Sequence, residues 1–236
     1  MDDPIVDVRG LAKGFGGHTV VQDITIRIGA GDMLGLVGAN GGGKTTSLRM
    51  LAGLVAPDNG TGSVLGTVLG SGRIDRTRIG YMSQRLALYP ELTVAENLRF
   101  HACVHGLGRA MVDDSVARYG LGAVASHRFG VLSGGWARRV QFAASVIHAP
   151  PLLLLDEPTA GLDIATRYLI WDWLFALAKA GHAIIVSTHD LTEAARLPQV
   201  VLYRDGHAAP QTTPAALMAQ TGAATLEAAV LTGANR

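Results

Sequence analysis

Gly38-Ala39-Asn40-Gly41-Gly42-Gly43-Lys44-Thr45-Thr46 follows the apolar run Met33–Val37 and leads into a helix-period stretch over Ser47–Leu54. The nine residues fit G-x-x-x-x-G-K-[ST], and the strand–loop–helix setting decides the fold. Gly38, Gly41 and Gly43 let successive backbone N–H groups turn inward on an anion with no Cβ in the way, and Asn40 and Thr46 belong to the same cradle. The helix behind the loop points the positive end of its dipole at that anion. Lys44 adds a mobile charge for β and γ phosphates, and the Thr45 hydroxyl offers an oxygen to Mg²⁺. The chain has three lysines, Lys13, Lys44 and Lys179, and one falls here. A nucleoside triphosphate is the expected ligand.

A second apolar run, Leu152–Leu155, ends in Asp156-Glu157. Carboxylates at the carboxyl end of a buried strand sit where open α/β sheets bind ligands. Alternation along the chain lets the two divide the work: Asp156 holds the Mg²⁺ shell, and Glu157 polarises the attacking water as general base. A third run, Ala183–Ser187, ends at Thr188-His189, which puts an imidazole within reach of the γ-phosphate.

These three runs are nearly unbroken apolar, as strands covered on both faces must be, and are expected at the centre of a parallel sheet. Thr19–Ile28 reads as a further strand, and Gly29–Gly31 separates it from the core like a turn, so the residues up to Ile28 form an antiparallel flap. From Glu91 to His127 the apolar positions Val94, Leu98, Ala102, Val116 and Leu121 follow a helical period. After Pro210 two short helices are expected, over 215–220 and 225–232, with a frayed tail. The fold class is therefore α/β: a P-loop NTPase with a mostly parallel sheet, an N-terminal antiparallel β flap and a helical insert. One domain is expected over 1–236, with 1–90 and 131–209 as catalytic core, 91–130 as helical subdomain and 210–236 as C-terminal extension.

Composition narrows the partners. Of 236 residues 48% are hydrophobic and 17% charged, which excludes disorder of the whole chain, and a net charge of +1 gives no broad basic surface for nucleic acid. The single cysteine, Cys103, excludes internal disulfides and cysteine-rich zinc modules and suits a reducing cytosol. Residues 1–9 are acidic and carry no apolar run of the secretory kind, and no segment reaches the roughly 18 apolar residues of a spanning helix. A mean hydropathy of +0.27 leaves room for a buried partner surface.

Leu132-Ser133-Gly134-Gly135, taken in order with the P-loop, Gln84, Asp156-Glu157, Gly161-Leu162-Asp163 and His189, resembles the nucleotide-binding subunit of an ABC transporter, over nearly the whole chain to about residue 205. On its own chemistry, Ser133 opens a helix over 137–147 and offers an anion a hydroxyl and unblocked N–H groups. The resemblance implies that Ser133 and Gly135 close over the ATP of a partner copy, giving a head-to-tail homodimer with two nucleotides between its subunits. It also implies that Phe15 stacks on adenine, that Gln84 touches Mg²⁺ or the attacking water, that Asp163 spans the dimer interface and that His189 meets the γ-phosphate. The implied partner is an integral membrane permease that holds the chain at the cytoplasmic face of the membrane. Residues 81–89, Glu91–Leu98 and Leu226–Leu231 resemble ATPases paired with exporters of drugs, lipids or polysaccharides. One departure is Trp136, which stands where the family usually has glutamine; it is expected at the dimer interface or against the insert. The rival reading is a soluble regulatory ATPase of the same kind acting on ribosome or nucleic acid, which usually carries two ATPase domains or a long extension.

Three features are read more plainly. His101 and His105 share a helix face but lack an evident third ligand, so they are taken as helix surface. Arg138-Arg139 is expected to be solvated or at the edge of the insert. Leu86, Leu88 and Tyr89 are expected to form a cleft for a cytoplasmic helix of the permease.

Overall fold

The computed structural model describes residues 3–70 and 73–233. Strands β1 (Val6–Phe15), β2 (His18–Ile28) and β3 (Met33–Gly38) lead into helix α1 (Lys44–Leu51) and then strands β4 (Asn59–Val64), β5 (Thr67–Val68) and β6 (Ile79–Met82). Helices α2 (Val94–Val104), α3 (Arg109–Arg118) and α4 (Gly134–Val146) precede strand β7 (Leu152–Asp156), helix α5 (Ile164–Lys179) and strand β8 (Ala183–Thr188). Helix α6 (Leu191–Ala194), strands β9 (Gln199–Arg204) and β10 (His207–Ala208), and helices α7 (Pro214–Thr221) and α8 (Leu226–Gly233) complete the chain. The frayed tail expected at the C-terminus falls, from residue 234 on, outside the described residues.

Among the described residues ten strands share one sheet, ordered β5-β4-β1-β2-β10-β9-β3-β8-β7-β6. Strands β9, β3, β8, β7 and β6 run parallel, while β1 and β2 form the expected antiparallel flap, which β4 and β5 extend beyond the residues up to Ile28 foreseen for it. Strand β10 joins the halves, antiparallel to β9 and parallel to β2 through His207 and Gln22.

The period of two along the central strands sorts their side chains onto opposite faces. Met33, Val37, Leu153, Leu155, Ile184 and Val186 face one apolar cluster, which also takes in α4, α5 and the insert helices. Leu34, Leu36, Leu152, Leu154, Ala183 and Ile185 face the other, which is shared with the flap and α1. Each of these side chains is at most 3% exposed, so burial contributes about 1.5–3 kcal/mol for every Leu, Ile, Val or Met among them.

Helix α2 starts at a capping box: Glu96 N–H donates to Thr93 Oγ1 at 3.2 Å, and Thr93 N–H donates to Glu96 Oε2 at 2.8 Å. One turn in, the buried Asn97 amide donates to the carbonyls of Tyr89, Leu92 and Thr93 and accepts from Tyr89 N–H. That single side chain satisfies the backbone of the loop leading into the insert.

The phosphate loop is fixed from beneath by β9. Tyr203 O–H donates to Ser47 Oγ at 2.9 Å, and Ser47 Oγ–H donates to the Gly43 carbonyl at 3.0 Å. A Cβ at Gly38 would lie 2.3 Å from the Tyr203 carbonyl oxygen, and one at Gly43, where φ is +98°, would lie 2.6 Å from Val21 Cβ, so both positions need glycine. Burial raises the Tyr203 phenol well above the usual range, which keeps the hydroxyl a neutral donor. Tyr203→Phe is expected to lower the free energy of unfolding by about 1 kcal/mol in urea titrations; an unchanged midpoint would show that the bond contributes nothing.

Candidate active site

Three parallel neighbours, β3, β8 and β7, deliver the phosphate loop, Thr188-His189 and Asp156-Glu157 to one edge of the sheet. A cleft of about 300 Å³ lies there, lined by Val20, Asn40, Gly41, Gly43, Lys44, Thr45, Thr46, Gln84, Asp156 and Glu157. Of the nine residues of the P-loop pattern, Asn40, Gly41, Gly43, Lys44, Thr45 and Thr46 line it, while Gly38, Ala39 and Gly42 do not. Gly38 instead turns the chain where it passes Tyr203.

The polar atoms of the cleft form one connected set. Lys44 Nζ is buried, donates to the carbonyls of Gly38 at 2.6 Å and Ala39 at 3.0 Å, and stands 3.6 Å from Glu157 Oε1. Thr45 Oγ1–H donates to Asp156 Oδ2 at 2.8 Å, and Ser187 Oγ–H donates to Asp156 Oδ1 at 2.7 Å. Ser187 also accepts the Glu157 N–H at 2.9 Å. The Thr45 hydroxyl and Asp156 carboxylate are hard oxygens side by side, the donor set that suits Mg²⁺.

Glu157 is 4% exposed and adopts φ +51°, a left-handed conformation costly for a residue with a side chain. Its Oε2 lies 2.7 Å from His189 Nδ1, while Oε1 is buried and accepts no hydrogen bond. With the carboxylate ionised, Nδ1 carries the proton. A buried oxygen with spare acceptor capacity, next to a cation and braced by an imidazole, can take a proton from a nearby water.

Other candidate residues lie apart from this cleft. Phe15 ends β1, is half exposed, and has Lys13 Nζ 5.3 Å from its ring centre. Ser133 is the exposed N-cap residue of α4, and its hydroxyl makes no capping bond. Asp163 caps α5, accepting from Thr166 N–H at 2.9 Å and Thr166 O–H at 2.8 Å; these bonds hold its carboxyl below the usual range. A Cβ on Gly135 would meet Thr166 Oγ1 at 3.5 Å and Asp163 Oδ2 at 3.7 Å, so the starts of α4 and α5 lie side by side.

The expectation of solvation or a place at the edge of the insert holds for Arg139 and needs correcting for Arg138. Arg138 is buried, and its Nη1 donates to the Gln84 carbonyl at 2.9 Å and to that of Ser83 at 3.3 Å. Burial lowers its pKa, while the nearby charges of Asp156 and Glu157 act the other way. Arg139 stacks over Trp136, 4.1 Å from the ring centre, and donates to the carbonyls of Tyr119 and Gly120 just past α3. Trp136 therefore faces the insert, one of the two places expected. Besides Arg138, sequence reading gives no role to Gln141, Ser187 or Tyr203. Only the Arg138/Gln141 spacing, three residues apart on one helix face, hints at a shared target.

A family profile described as ABC transporter matches residues 21–160. The chain is 35% identical over 225 residues to the probable multidrug ABC transporter ATP-binding protein YbhF of Escherichia coli (strain K12), an overlap of 93% of this chain and 39% of that protein. It is 36% identical over 225 residues to the Nod factor export ATP-binding protein I of Paraburkholderia xenovorans, covering 93% of this chain and 74% of that protein. A solved ATP binding subunit of an ABC transporter matches at a TM-score of 0.86 and 28% identity, over 96% of this chain and 98% of that one. An ATP-binding cassette solved as a dimer in a post-hydrolysis state with ADP and Pi matches at 0.80 and 25% identity, over 88% and 98%.

Beside the Gln84 loop a groove of about 330 Å³ is lined in part by Leu88, Phe100, His101, Val104, His105 and His148. His101 and the C-cap residue His105 are thus half-buried groove residues rather than plain helix surface. His148 stacks on His105 with ring centres 3.7 Å apart and planes 7° off parallel, so their nitrogens do not converge on one point. Among the described residues no group of three or more His, Cys, Asp and Glu could hold a metal. Burial, reinforced by His105 and His101, pushes His148 down to about 4, with a backbone contact at Ile79 acting the other way. A depressed histidine pKa favours the neutral form in the fold. Its contribution to stability is therefore complete above the ordinary value of 6.5 and is lost as pH falls from there toward 4. His148→Leu is expected to flatten the fall in melting temperature across that window; identical slopes in the two proteins would remove His148 from the account.

Proposed function

The chain belongs to the ABC transporter family, and on that footing we propose that it binds and hydrolyses ATP between two copies of itself to drive export by a separate integral membrane permease. The observation that carries this reading is the convergence of Lys44, the Thr45–Asp156 pair and the Glu157–His189 pair in one cleft. Backbone N–H groups from Gly41 to Thr45 cradle the phosphates, and the Lys44 ammonium exchanges its loop carbonyls for phosphate oxygens. Mg²⁺, when bound, neutralises charge on those oxygens, and Thr45 and Asp156 would hold it with Gln84 close by. Glu157 accepts the proton of the attacking water while His189 keeps the carboxylate oriented, a contribution of roughly 10²–10⁴ in rate.

The remaining roles need a second molecule or a base to stack on. Ser133 and Gly135 present an exposed helix start to the nucleotide of the other copy, with Asp163 beside them at the interface. The exposed ring of Phe15 offers adenine a stacking surface contributing about 1–3 kcal/mol. Residues 1–90 and 131–209 serve as catalytic core, 91–130 as helical subdomain and 210–236 as extension.

No helix of the described residues is long and apolar enough to cross a membrane. The proposed permease contacts the groove beside Gln84, where Phe100 and Val104 are exposed, together with the exposed Leu86 and Tyr89 on either side of the groove residues Ala87 and Leu88, and so keeps this chain at the cytoplasmic face. The name of the Paraburkholderia relative supports outward transport. The near-neutral charge favours this reading over one that acts on nucleic acid.

Glu157→Gln is expected to keep ATP affinity and lose at least about 100-fold in turnover, measured by phosphate release; undiminished release would overturn the role of base. Ser133→Arg is expected to abolish turnover while nucleotide titrations of the monomer stay unchanged, because the substituted side chain blocks only the face offered to the other copy. Lost affinity in the monomer would count against the paired arrangement.

A further inference from the structure

Helix α4 holds the Gln84 loop by its backbone. Between β6 and α2 the carbonyls of Ser83, Gln84 and Arg85 leave the sheet and belong to no helix, so their hydrogen bonds must come from elsewhere. Within the loop the Ser83 hydroxyl donates to the Arg85 carbonyl at 2.7 Å, and two side chains of α4 supply the rest. Arg138 Nη1 donates to Ser83 and Gln84, and Gln141 Nε2 donates to the carbonyls of Ser83 at 3.2 Å and Arg85 at 2.9 Å. A weaker contact of 3.4 Å from Arg138 Nη1 to Gln141 Oε1 ties the donors together.

A buried guanidinium is costly, and Arg138 makes no ion pair within contact distance among the described residues. Its hydrogen bonds go to neutral carbonyls, and one of them belongs to Gln84, which lines the cleft. Five positions earlier, Ser133 heads the same helix, about 7.5 Å away at 1.5 Å per residue. Any displacement of α4 that moves Ser133 therefore moves the backbone of Gln84.

We propose that Arg138 is a positioning residue that fixes Gln84 in the cleft and ties its placement to that of Ser133. The inference rests on the roles given above to Gln84 and Ser133, and it adds the physical link between them. The link is a backbone grip, so it sets where the Gln84 amide points without itself touching nucleotide, metal or water.

The test uses the full chain and two readouts. Hydrogen–deuterium exchange on nucleotide-free protein is expected to be at least about tenfold faster over residues 83–88 in Arg138→Met than in wild type, with the phosphate loop unchanged. In ATPase assays Arg138→Met is expected to lower kcat about tenfold with KM for ATP changed less than about twofold, and Gln84→Ala to do the same. Combining the two is expected to cost no more than either alone, because both remove one effect. Arg138→Lys, which keeps one donor to the carbonyls, is expected to recover part of both readouts, and it carries the test together with Gln141→Leu if Arg138→Met does not fold. Unchanged exchange over residues 83–88, or falls in kcat that multiply in the double variant, would overturn the proposal. A wild type without ATPase activity would sink the proposed function instead, and exchange would then decide alone whether Arg138 sets the loop.

Discussion

Two adjacent carboxylates have to be buried at the end of a strand that is apolar on both faces. Asp156 and Glu157 are 2% and 4% exposed, and an uncompensated buried charge costs several kcal/mol. No single neighbouring element compensates them. Asp156 is held by Thr45 at the start of α1 and by Ser187 at the end of β8, and Glu157 by His189 just beyond β8 with Lys44 at 3.6 Å. The sheet order β3-β8-β7 is the arrangement that brings those partners within reach, so the charges and the topology require each other. One deficit is retained, at Glu157 Oε1, and it sits at the atom best placed to accept a proton.

What could be read from the sequence was what neighbouring residues determine among themselves. The three apolar runs became β3, β7 and β8 with ends within one residue of expectation, because nearly unbroken apolar stretches of this length have few other uses. Helix α1 begins at Lys44, three positions before the apolar pattern suggests, because the polar Lys44-Thr45-Thr46 forms its first turn around the site. Helix α5 escaped the reading because Ile170, Trp171, Trp173, Leu174, Phe175 and Leu177 spread apolar side chains around the helix and erase the period. Strand β6 is four residues long, too short for alternation to register.

The contacts that fix the site span long stretches of chain. Tyr203 meets Ser47 across 156 positions, Glu157 meets Ser187 across 30, and Arg138 meets the Gln84 carbonyl across 54. Nothing local to tyrosine, serine or arginine announces such a partner, since each is common on a surface. Family resemblance supplied Asp163, Gln84 and Phe15, which residue chemistry alone leaves ordinary, and it turned the anion-binding helix start at Ser133 toward a second copy. It did not supply the grip on the Gln84 loop, because that grip depends on which way α4 faces rather than on its motif.

Helix α4 joins these parts because each of its sides meets a different element. Its start lies against the Asp163 turn, Arg138 and Gln141 hold the Gln84 loop, and near its end Ser145 packs so closely on β6 that a Cβ at Gly80 would lie 2.3 Å from its carbonyl oxygen. Consecutive arginines in such a helix pose an electrostatic problem: two cations one residue apart, the first of them buried. The structure separates their surroundings. Arg138 turns inward to carbonyls backed by the carboxylates of the cleft, while Arg139 lies over the Trp136 ring and turns to the carbonyls past α3. An indole face attracts a guanidinium by about 0.5–2 kcal/mol, so the Trp136 ring helps hold Arg139 against the carbonyls of the insert.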